Sequence, residues 1–329
     1  MKALPCHRPI PTGCLPMYLP PRPPRPFQFL RGWPVLFLAT LMGCAHAQPD
    51  AGLDPRIDEA SGLSMSSRVE NRYWTHNDSK DFLDNTPTEP LLYAVDAHGR
   101  VQGALWVDGL KPHDWEAISA FRHKGGNYLV IGDLGDNRAR RGRGIRLDVV
   151  EEPERLEGRI HRKPAWTMRL SYPDGPRDAE AMAVDAEEGM VYILSKRDER
   201  PHLYRAPLHA PRGGQGALEL LAELPPFDAP LVTDEPSSLK VLPFTHQPTD
   251  MAFAPDLREA VVLTYAHVYM FKRAPGQAWQ EALRGKPEVV DLPGARQYEG
   301  ISYSRDGKAW LVVQEGEGSP VLHIARPAP

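Results

Sequence analysis

One pattern, repeated five times along the chain, limits what the protein can fold into. In each copy an acidic residue opens a short run of strand-forming residues, a turn follows, and a second, more apolar run ends in polar residues. The opening acids are Glu59, Glu116, Glu180, Asp250 and Glu299, spaced 57, 64, 70 and 49 residues apart. The second runs are residues 72–75, 128–131, 191–194, 260–263 and 309–313. Each interval has room for a four-stranded antiparallel sheet with its loops.

Such repeats, in a chain without any long stretch of helical periodicity, predict an all-β fold of the β-propeller type. Five copies predict five blades, and six is the alternative if the 70-residue interval after Glu180 contains another sheet. The last copy shows only three clear strands, so we expect ring closure to use a strand from residues 50–58. A β-sandwich also has regularly spaced turns, but it would not explain an acidic residue at the start of each unit.

The first 47 residues are typical of an export signal rather than of a folded domain. Arg31 precedes an apolar run at residues 33–42. This run is too short to cross a bilayer, which takes ~20 apolar residues, but it suits a signal peptide. Met17 is an alternative start of translation. We therefore divide the chain into an export segment, residues 1–47, and a single propeller domain, residues 48–329.

Two cleavage sites follow the apolar run. Residues 41–44 resemble a bacterial lipoprotein box, in which Cys44 is lipidated and becomes the mature N-terminus. Residues 45–47 resemble an ordinary A-x-A signal peptidase site. Both predict an exported bacterial protein, either periplasmic or an outer-membrane lipoprotein. Membrane contact would then be made only through a lipid on Cys44, and we expect a monomer.

Charge and cysteine content exclude several classes of function. The first 44 residues hold five of the 39 basic residues and none of the 43 acidic ones, so the remainder carries a net charge of about −9. A nucleic-acid-binding protein normally has a positive surface, so no nucleic-acid partner is expected. All three cysteines, Cys6, Cys14 and Cys44, precede the propeller domain. The domain therefore has no disulfide, thiolate metal site or cysteine nucleophile.

Propeller geometry predicts where a functional site would lie. The first strand of each blade lines the central channel and the second runs antiparallel beside it. The start of one and the end of the other therefore meet at the same mouth of the channel. The second-strand ends would bring residues 76–78, Asp133, residues 195–196, residues 264–265 and residues 314–315 to that mouth. Glu59 to His76 and Glu116 to Asp133 are both 17 residues apart, which predicts that these blades are in register.

A ring of carboxylates at one mouth repels itself, since two charges ~4 Å apart near a protein surface cost about 4 kcal/mol. Protonation, a lysine such as Lys196, or a bound cation would relieve the repulsion. Oxygen ligands favour Ca²⁺ or Mg²⁺, and a histidine would extend the choice to Zn²⁺ or Mn²⁺. We expect a divalent cation, with Ca²⁺ preferred. The predicted metal ligands are Glu59, Asp78, Glu116, Asp133, Asp136, Glu180 and Glu299. The alternative for each acid is that it caps backbone N–H groups beside a strand.

The common catalytic motifs are absent: the sequence contains no G-x-S-x-G, no H-E-x-x-H and no P-loop. The candidate catalytic residues are therefore His76, Glu116 and Glu180, acting as general acid or base beside the cation. Residues 138–143 carry four arginines. They either receive an anionic substrate or form a solvated loop.

Several short motifs carry a family resemblance: residues 59–63, 76–79, 114–116, 132–137 and 178–181. Together they resemble a family of secreted bacterial β-propeller proteins of largely unassigned function, over roughly residues 55–320. More distantly, the chain is similar to the "esterase-like activity of phytase" group and to calcium-dependent lactonase propellers. These resemblances imply metal-assisted hydrolysis at the channel mouth. The clustered basic residues of the phytase-like pattern are not evident, so phytate is not the expected substrate.

The sequence is consistent with two functions, one enzymatic and one not. The first is a metal-dependent hydrolase of the cell envelope that acts on an ester, lactone or phosphoester. The second is a non-catalytic propeller that binds a peptide, glycan or partner protein, with the cation only structural. A hydrolase should lose turnover on chelation yet keep its fold. A scaffold should either ignore the chelator or unfold with it.

Overall fold

Alternating polar and apolar residues fold this chain into strands with one buried face. In Val101–Val107, for example, every second residue from Gly103 onward is buried. The computed structural model describes residues 52–78, 88–139, 142, 144–209, 214–231 and 234–327. The strands among these residues form five sheets. None of the helices that the structure describes is long and apolar enough to cross a membrane.

Each sheet forms one blade, with its strands ordered outward from the channel. Blade 1 contains β1 (Ala60–Met65), β2 (Tyr73–Asn77), β3 (Leu91–Val95) and β4 (Val101–Val107). Blade 2 contains β5 (Trp115–His123), β6 (Gly126–Asp133), β7 (Ile145–Glu151) and β9 (Trp166–Ser171), while β8 (Arg159–Arg162) pairs parallel with β4 of blade 1. Blade 3 contains β10 (Ala179–Asp185), β11 (Met190–Ser195), β12 (His202–Pro207) and β14 (Glu219–Glu223), while β13 (Gln215–Ala217) pairs parallel with β9 of blade 2.

The last two blades complete the set. Blade 4 contains β15 (Pro248–Phe253), β16 (Glu259–Thr264), β17 (His267–Lys272) and β18 (Glu288–Asp291), with a 3-10 turn at Leu242–Phe244 before β15 and the one-turn helix α1 (Trp279–Ala282) before β18. Blade 5 contains β19 (Tyr298–Tyr303), β20 (Ala309–Gln314) and β21 (Leu322–Ala325).

The blades form a closed ring. Neighbouring first strands contact one another in the order β1, β5, β10, β15, β19 and back to β1. Each of the five interfaces between neighbouring blades has its own cluster of buried apolar side chains. Between blades 1 and 2, for example, Trp74 and Trp115 are fully buried. The predicted all-β, five-bladed propeller is confirmed, and the described part of the interval from Glu180 to Asp250 contains no sixth sheet.

Ring closure differs from the expectation. The described residues 52–58 form no strand. They instead contact the end of blade 5 through single hydrogen bonds, from Leu53 N–H to the Ser319 carbonyl (2.8 Å) and from Gly316 N–H to the Asp58 carbonyl (2.7 Å). Leu53 and Ile57 are buried against β20, in the apolar cluster between blades 5 and 1. Packing of a loop, rather than a borrowed strand, therefore covers this interface.

Glycine allows the first strands to approach closely at the channel. Gly62 in β1 has a φ of 66°, and a Cβ there would lie 2.9 Å from the backbone nitrogen of Ile118 in β5. A Cβ on Gly300 in β19 would lie 2.8 Å from the carbonyl carbon of Gly62. Larger residues at these positions would push blades 1, 2 and 5 apart.

Asp250 ties three blades together at the centre of the ring. Its carboxylate accepts hydrogen bonds from the backbone N–H groups of Met251 (2.8 Å), Ile301 (2.8 Å) and Leu63 (3.3 Å). These three residues belong to blades 4, 5 and 1. The side chain is fully buried, and burial raises the pKa of Asp250 well above its ordinary value even though the three N–H groups oppose this. Asp250 is therefore a structural cap rather than an open ligand.

Replacing Asp250 by alanine tests this role. Three buried N–H groups lose their acceptor, and an unpaired buried group costs about 1–3 kcal/mol. The free energy of unfolding, measured by urea denaturation with circular dichroism, is expected to fall by at least about 2 kcal/mol. Asp256→Ala, in an exposed turn, is the matched control and should cost less than about 1 kcal/mol. Equal losses in both variants would contradict the assignment.

Candidate functional site

A β-bulge at the start of the first strands sets the geometry of one channel mouth. Glu116 lies in a bulge because Trp115 pairs with Asp133 and Ala117 with Gly132, so Glu116 has no partner of its own. The same irregularity occurs at the start of three other first strands, where the bulged residues are Glu180, Thr249 and Glu299. In blade 1 the equivalent position is Ser61, since Ala60 pairs with Asn77. A bulge redirects its side chain away from the sheet face.

The residues that directly follow the second strands form the other half of the mouth. One backbone hydrogen bond recurs there, from Asp78 N–H to the Glu59 carbonyl (2.8 Å) and from Leu134 N–H to the Asp114 carbonyl (3.1 Å). It recurs again from Lys196 N–H to the Asp178 carbonyl (2.9 Å) and from Glu315 N–H to the Gln297 carbonyl (2.9 Å). The equivalent positions are therefore Asp78, Leu134, Lys196, Tyr265 and Glu315.

Three carboxylates from two blades converge at this mouth. Asp78, Asp114 and Glu116 each offer an oxygen, and these oxygens lie within 4.8 Å of one another. We call these three residues the acidic cluster. Glu116 is buried, while Asp78 and Asp114 are partly exposed. A Cβ on Gly135 would lie 2.4 Å from an Asp114 carboxylate oxygen and 2.5 Å from a Glu116 oxygen, so glycine at this position leaves room for both carboxylates.

Two predicted ligands, Asp133 and Asp136, lie beside the acidic cluster rather than within it. The carboxylate of Asp133 accepts hydrogen bonds from the N–H groups of His113 (3.3 Å) and Asp114 (3.2 Å) and from Arg146 Nη2 (2.9 Å). Asp133 therefore caps the loop that carries Asp114 and orients it. Asp136 is buried, and its backbone N–H donates to the carboxylate of Asp178 (2.8 Å).

A lysine from blade 3 links two further carboxylates. The buried Lys196 ammonium donates to the carboxylate of Glu180 and to the Tyr265 hydroxyl, the latter at 2.8 Å. Tyr265 in turn hydrogen bonds with Glu299. The second oxygen of Glu180, Oε2, is buried and has no hydrogen-bond partner among the described residues. We call Glu180, Lys196, Tyr265 and Glu299 the lysine network.

Burial and mutual repulsion shift the proton affinities at this mouth. Burial, followed by the charges of Asp78, Glu180 and Asp114, raises the pKa of Glu116 well above its ordinary value. Burial raises the pKa of Glu299 to about 8, although Lys196 opposes the shift. For Glu315, burial and the nearby carboxylates of Glu59 and Asp78 raise the pKa to about 8. Burial opposes the charge on Lys196, but the surrounding acids outweigh it and raise its pKa.

The remaining predicted residues occupy different places. Glu59 precedes β1, and its charge acts on Glu315 at the mouth. His76 is fully buried between blades 1 and 2, with its ring edge-on to Trp115 at 5.7 Å between centroids. Burial lowers the pKa of His76 to about 4, so the ring is neutral at physiological pH. Arg138 is exposed, while Arg140, Arg141 and Arg143 lie outside the described residues, as does Cys44.

The predicted register between blades 1 and 2 is wrong, by two residues in the first strand and by one residue in the second. Glu116 corresponds to Ser61 rather than to Glu59, and Asp133 corresponds to Asn77 rather than to His76. The predicted ligand set also lacks four contributors to the mouth, which are Asp114, Lys196, Tyr265 and Glu315. Lys196, Tyr265 and Glu315 directly follow a second strand. The sequence predicted them at the mouth from that position but did not include them among the ligands.

The raised pKa values predict how stability depends on pH without a cation. The folded protein keeps protons on Glu299 and Glu315 up to about pH 8, whereas the unfolded chain releases them near a pKa of about 4.3. Stability therefore falls as pH rises through this window. The melting temperature in EDTA should fall between about pH 5 and about pH 9, and Glu315→Gln should flatten the slope. The matched control is Glu317→Gln, at an exposed position in the same loop. A slope identical in both variants would contradict the assignment.

Comparisons with known proteins find only distant structural similarity. No protein-family model matches the chain, and no curated protein matches its sequence. Among solved structures, a chain of the nidogen/laminin complex matches at 10% identity with a TM-score of 0.40, over 82% of this chain and 81% of that chain. A gluconolactonase from Xanthomonas campestris matches at 10% identity with a TM-score of 0.40, over 84% of this chain and 89% of its own. The Malassezia sympodialis allergen Mala s 1 matches at 12% identity with a TM-score of 0.48, over 84% of this chain and 96% of its own. These three similarities are distant and carry no argument about activity.

Proposed function

We propose that the channel mouth binds a divalent cation, with Ca²⁺ preferred, and that the protein is a metal-dependent hydrolase of an ester, lactone or phosphoester. The observation that carries this proposal is the acidic cluster, whose three carboxylate oxygens lie within 4.8 Å of one another. Ca²⁺ binds oxygens at about 2.3–2.6 Å, so two ligands on opposite sides of one ion are separated by up to about 5 Å. The cluster therefore has the dimensions of a calcium site.

The surroundings of the cluster support the proposal. Glu116 carries a raised pKa because burial and like charges disfavour its ionised form, and a cation would remove this penalty. Gly135 has no Cβ, and a Cβ there would clash with the carboxylates of both Asp114 and Glu116. Asp133 orients the loop of Asp114 from behind, as an outer partner of a metal ligand commonly does.

A divalent cation, when bound, polarises an ester or phosphoryl oxygen and makes water more acidic. The lysine network would supply the proton chemistry. Glu180 has one buried oxygen free to accept a proton, and Glu299, with a pKa of about 8, can exchange one near neutral pH. Lys196, whose charge acts on Glu116, would stabilise negative charge that develops on the substrate. His76 has no part in this scheme, because its ring is buried beside Trp115.

The alternative function is a non-catalytic binding propeller. One observation favours it: Lys196 is already paired with Glu180 and hydrogen bonded to Tyr265. Because Lys196 already neutralises part of the negative charge at the mouth, any bound cation would then serve only to stabilise the structure. In that case metal removal would lower stability without any loss of turnover.

The first test is elemental analysis of the purified protein together with hydrolysis assays. We expect about one divalent ion per chain in the wild type. Glu116→Gln should lower the metal content because it removes a ligand charge. Gly135→Ala should do the same without changing any charge, since its Cβ displaces two carboxylates. Glu317→Gln, exposed on blade 5, is the matched control and should retain the metal.

Activity distinguishes the two functions. Nitrophenyl esters, lactones and nitrophenyl phosphodiesters are the substrates to screen, with and without EDTA, while circular dichroism reports the fold. A hydrolase loses turnover with EDTA and recovers it with added Ca²⁺, and Glu180→Gln loses turnover while retaining metal. Metal binding without turnover on any of these substrates supports the binding propeller. Absence of metal from the wild type, even after incubation with Ca²⁺, Mg²⁺, Zn²⁺ and Mn²⁺, would overturn the metal site.

We further propose that the protein is exported and anchored through a lipid on Cys44. The support is the apolar run at residues 33–42 followed by Gly43-Cys44. Cys44→Ser should release the protein from the bacterial membrane fraction into the soluble periplasm. A membrane fraction that is unchanged by Cys44→Ser would contradict lipid anchoring, and cleavage after Ala47, read by N-terminal sequencing, would favour the alternative signal peptidase site.

A further inference from the structure

A cavity lies at the opposite end of the channel from the acidic cluster. Its volume is about 310 Å³, and all five blades line it, at the ends of their first strands. None of its lining residues belongs to the acidic cluster or to the lysine network. Two features lie along the first strands, between the acidic cluster and the cavity. They are the close approach of Gly62 to Ile118 and the buried carboxylate of Asp250. The cavity is therefore a site of its own, independent of the proposed hydrolase activity.

Small residues at the strand ends create the space. They are Ser64, Ser119, Ala120, Ala186, Ala252 and Ser302. Two of the serine hydroxyl oxygens accept a hydrogen bond from a backbone N–H group. Ser64 accepts from Ala120 (2.8 Å) and Ser302 accepts from Met65 (2.8 Å). Each hydroxyl thereby has its own O–H to donate into the cavity.

The walls of the cavity are apolar and firmly positioned. Met65, Phe253 and Leu257 line it and are only partly buried. The Phe253 ring stacks in parallel on the buried Trp279, with 3.8 Å between centroids. Partly exposed apolar walls around a few polar groups are the usual lining of a small-molecule site, and such sites have volumes of about 300–1,000 Å³.

The rim is predominantly basic. Arg122 and Arg305 line the cavity and are exposed, against one exposed acid, Glu187. Arg305 is held in place by hydrogen bonds from its Nη2 to the carbonyls of Ser66 (2.7 Å) and Val69 (3.1 Å). Arg122 is free of ion pairs with any described residue. Its guanidinium is thus available to pair with an anionic ligand.

We propose that this cavity binds a small organic monocarboxylate, with its aromatic or aliphatic body against Phe253, Met65 and Leu257. Its carboxylate accepts hydrogen bonds from the serine hydroxyls and pairs with Arg122. The cavity accommodates a ligand of one or two rings. It shares no residue with the acidic cluster, so both sites can be filled together.

The test is a fluorescence titration of the full chain in EDTA with two probes of similar shape. Anilinonaphthalene sulfonate is anionic, and phenylnaphthylamine is neutral. We expect both to bind at one site per chain, with octanoate and phenylpropionate displacing the anionic probe and their amides displacing it at least about tenfold less well. Arg122→Gln should lower the affinity for the anionic probe by about threefold and change the affinity for the neutral probe by less than about twofold.

Two separate variants are designed to fill the cavity. If one of them does not fold, the other still tests the proposal. Ala252→Phe and Ala186→Phe should each weaken both probes by at least about tenfold, with circular dichroism confirming the fold. Ala274→Phe, at an exposed turn outside the cavity, is the matched control and should bind like the wild type. Unchanged binding in the folded variants, or equal displacement by acids and amides, would overturn the proposal. Because the titration contains no metal, its result is independent of the hydrolase assays.

Discussion

The burial of several carboxyl groups around Lys196 is the constraint on which the channel mouth of this propeller depends. Glu116, Glu180, Glu299 and Glu315 are all held where water cannot fully solvate their charges. Among the described residues, Lys196 is the cation that lowers their pKa values. The mouth must therefore hold protons, a cation or both, and each of these states has its own stability.

The interfaces between blades make this arrangement possible. Each blade contributes only one or two groups to the mouth, so the geometry of the site depends on how accurately five sheets are positioned. Separate apolar clusters between all neighbouring blades, such as the one around Trp74 and Trp115, set those positions. The bulges then direct single side chains inward from strands that are otherwise regular. A site built on rigid strands in this way holds its groups more accurately than one built on loops.

The fold could be predicted from the sequence, whereas the details of the site could not. The repeated acidic openings and apolar second strands predicted the number of blades because each repeat is one packing unit. The register depended on where each bulge occurs. Ala60 pairs with Asn77, 17 residues later, while Trp115 pairs with Asp133, 18 residues later. Equal spacing in sequence therefore concealed a shift of one residue, which exchanges a side chain at the mouth for one inside a sheet.

Burial could be predicted still less well, because it depends on the whole assembly. His76 and Asp78 are only two residues apart, yet His76 is sealed between blades while Asp78 joins the acidic cluster. Asp250 resembles the other repeated acids in sequence, but its carboxylate faces three backbone N–H groups. Side-chain chemistry was a good guide to which residue types would gather at the mouth. It did not reveal which of these residues would be buried between blades or hydrogen bonded to the backbone.

The pairing of β8 with β4 and of β13 with β9 has a consequence for how the chain is made. The outer strand of blade 1 stays uncovered until Arg159–Arg162 has left the ribosome, and that of blade 2 until Gln215–Ala217 has followed. An uncovered strand edge is a template for pairing with other chains. The outer edges of blades 1 and 2 are therefore protected from aggregation only after a segment from the next blade along the chain has been synthesised.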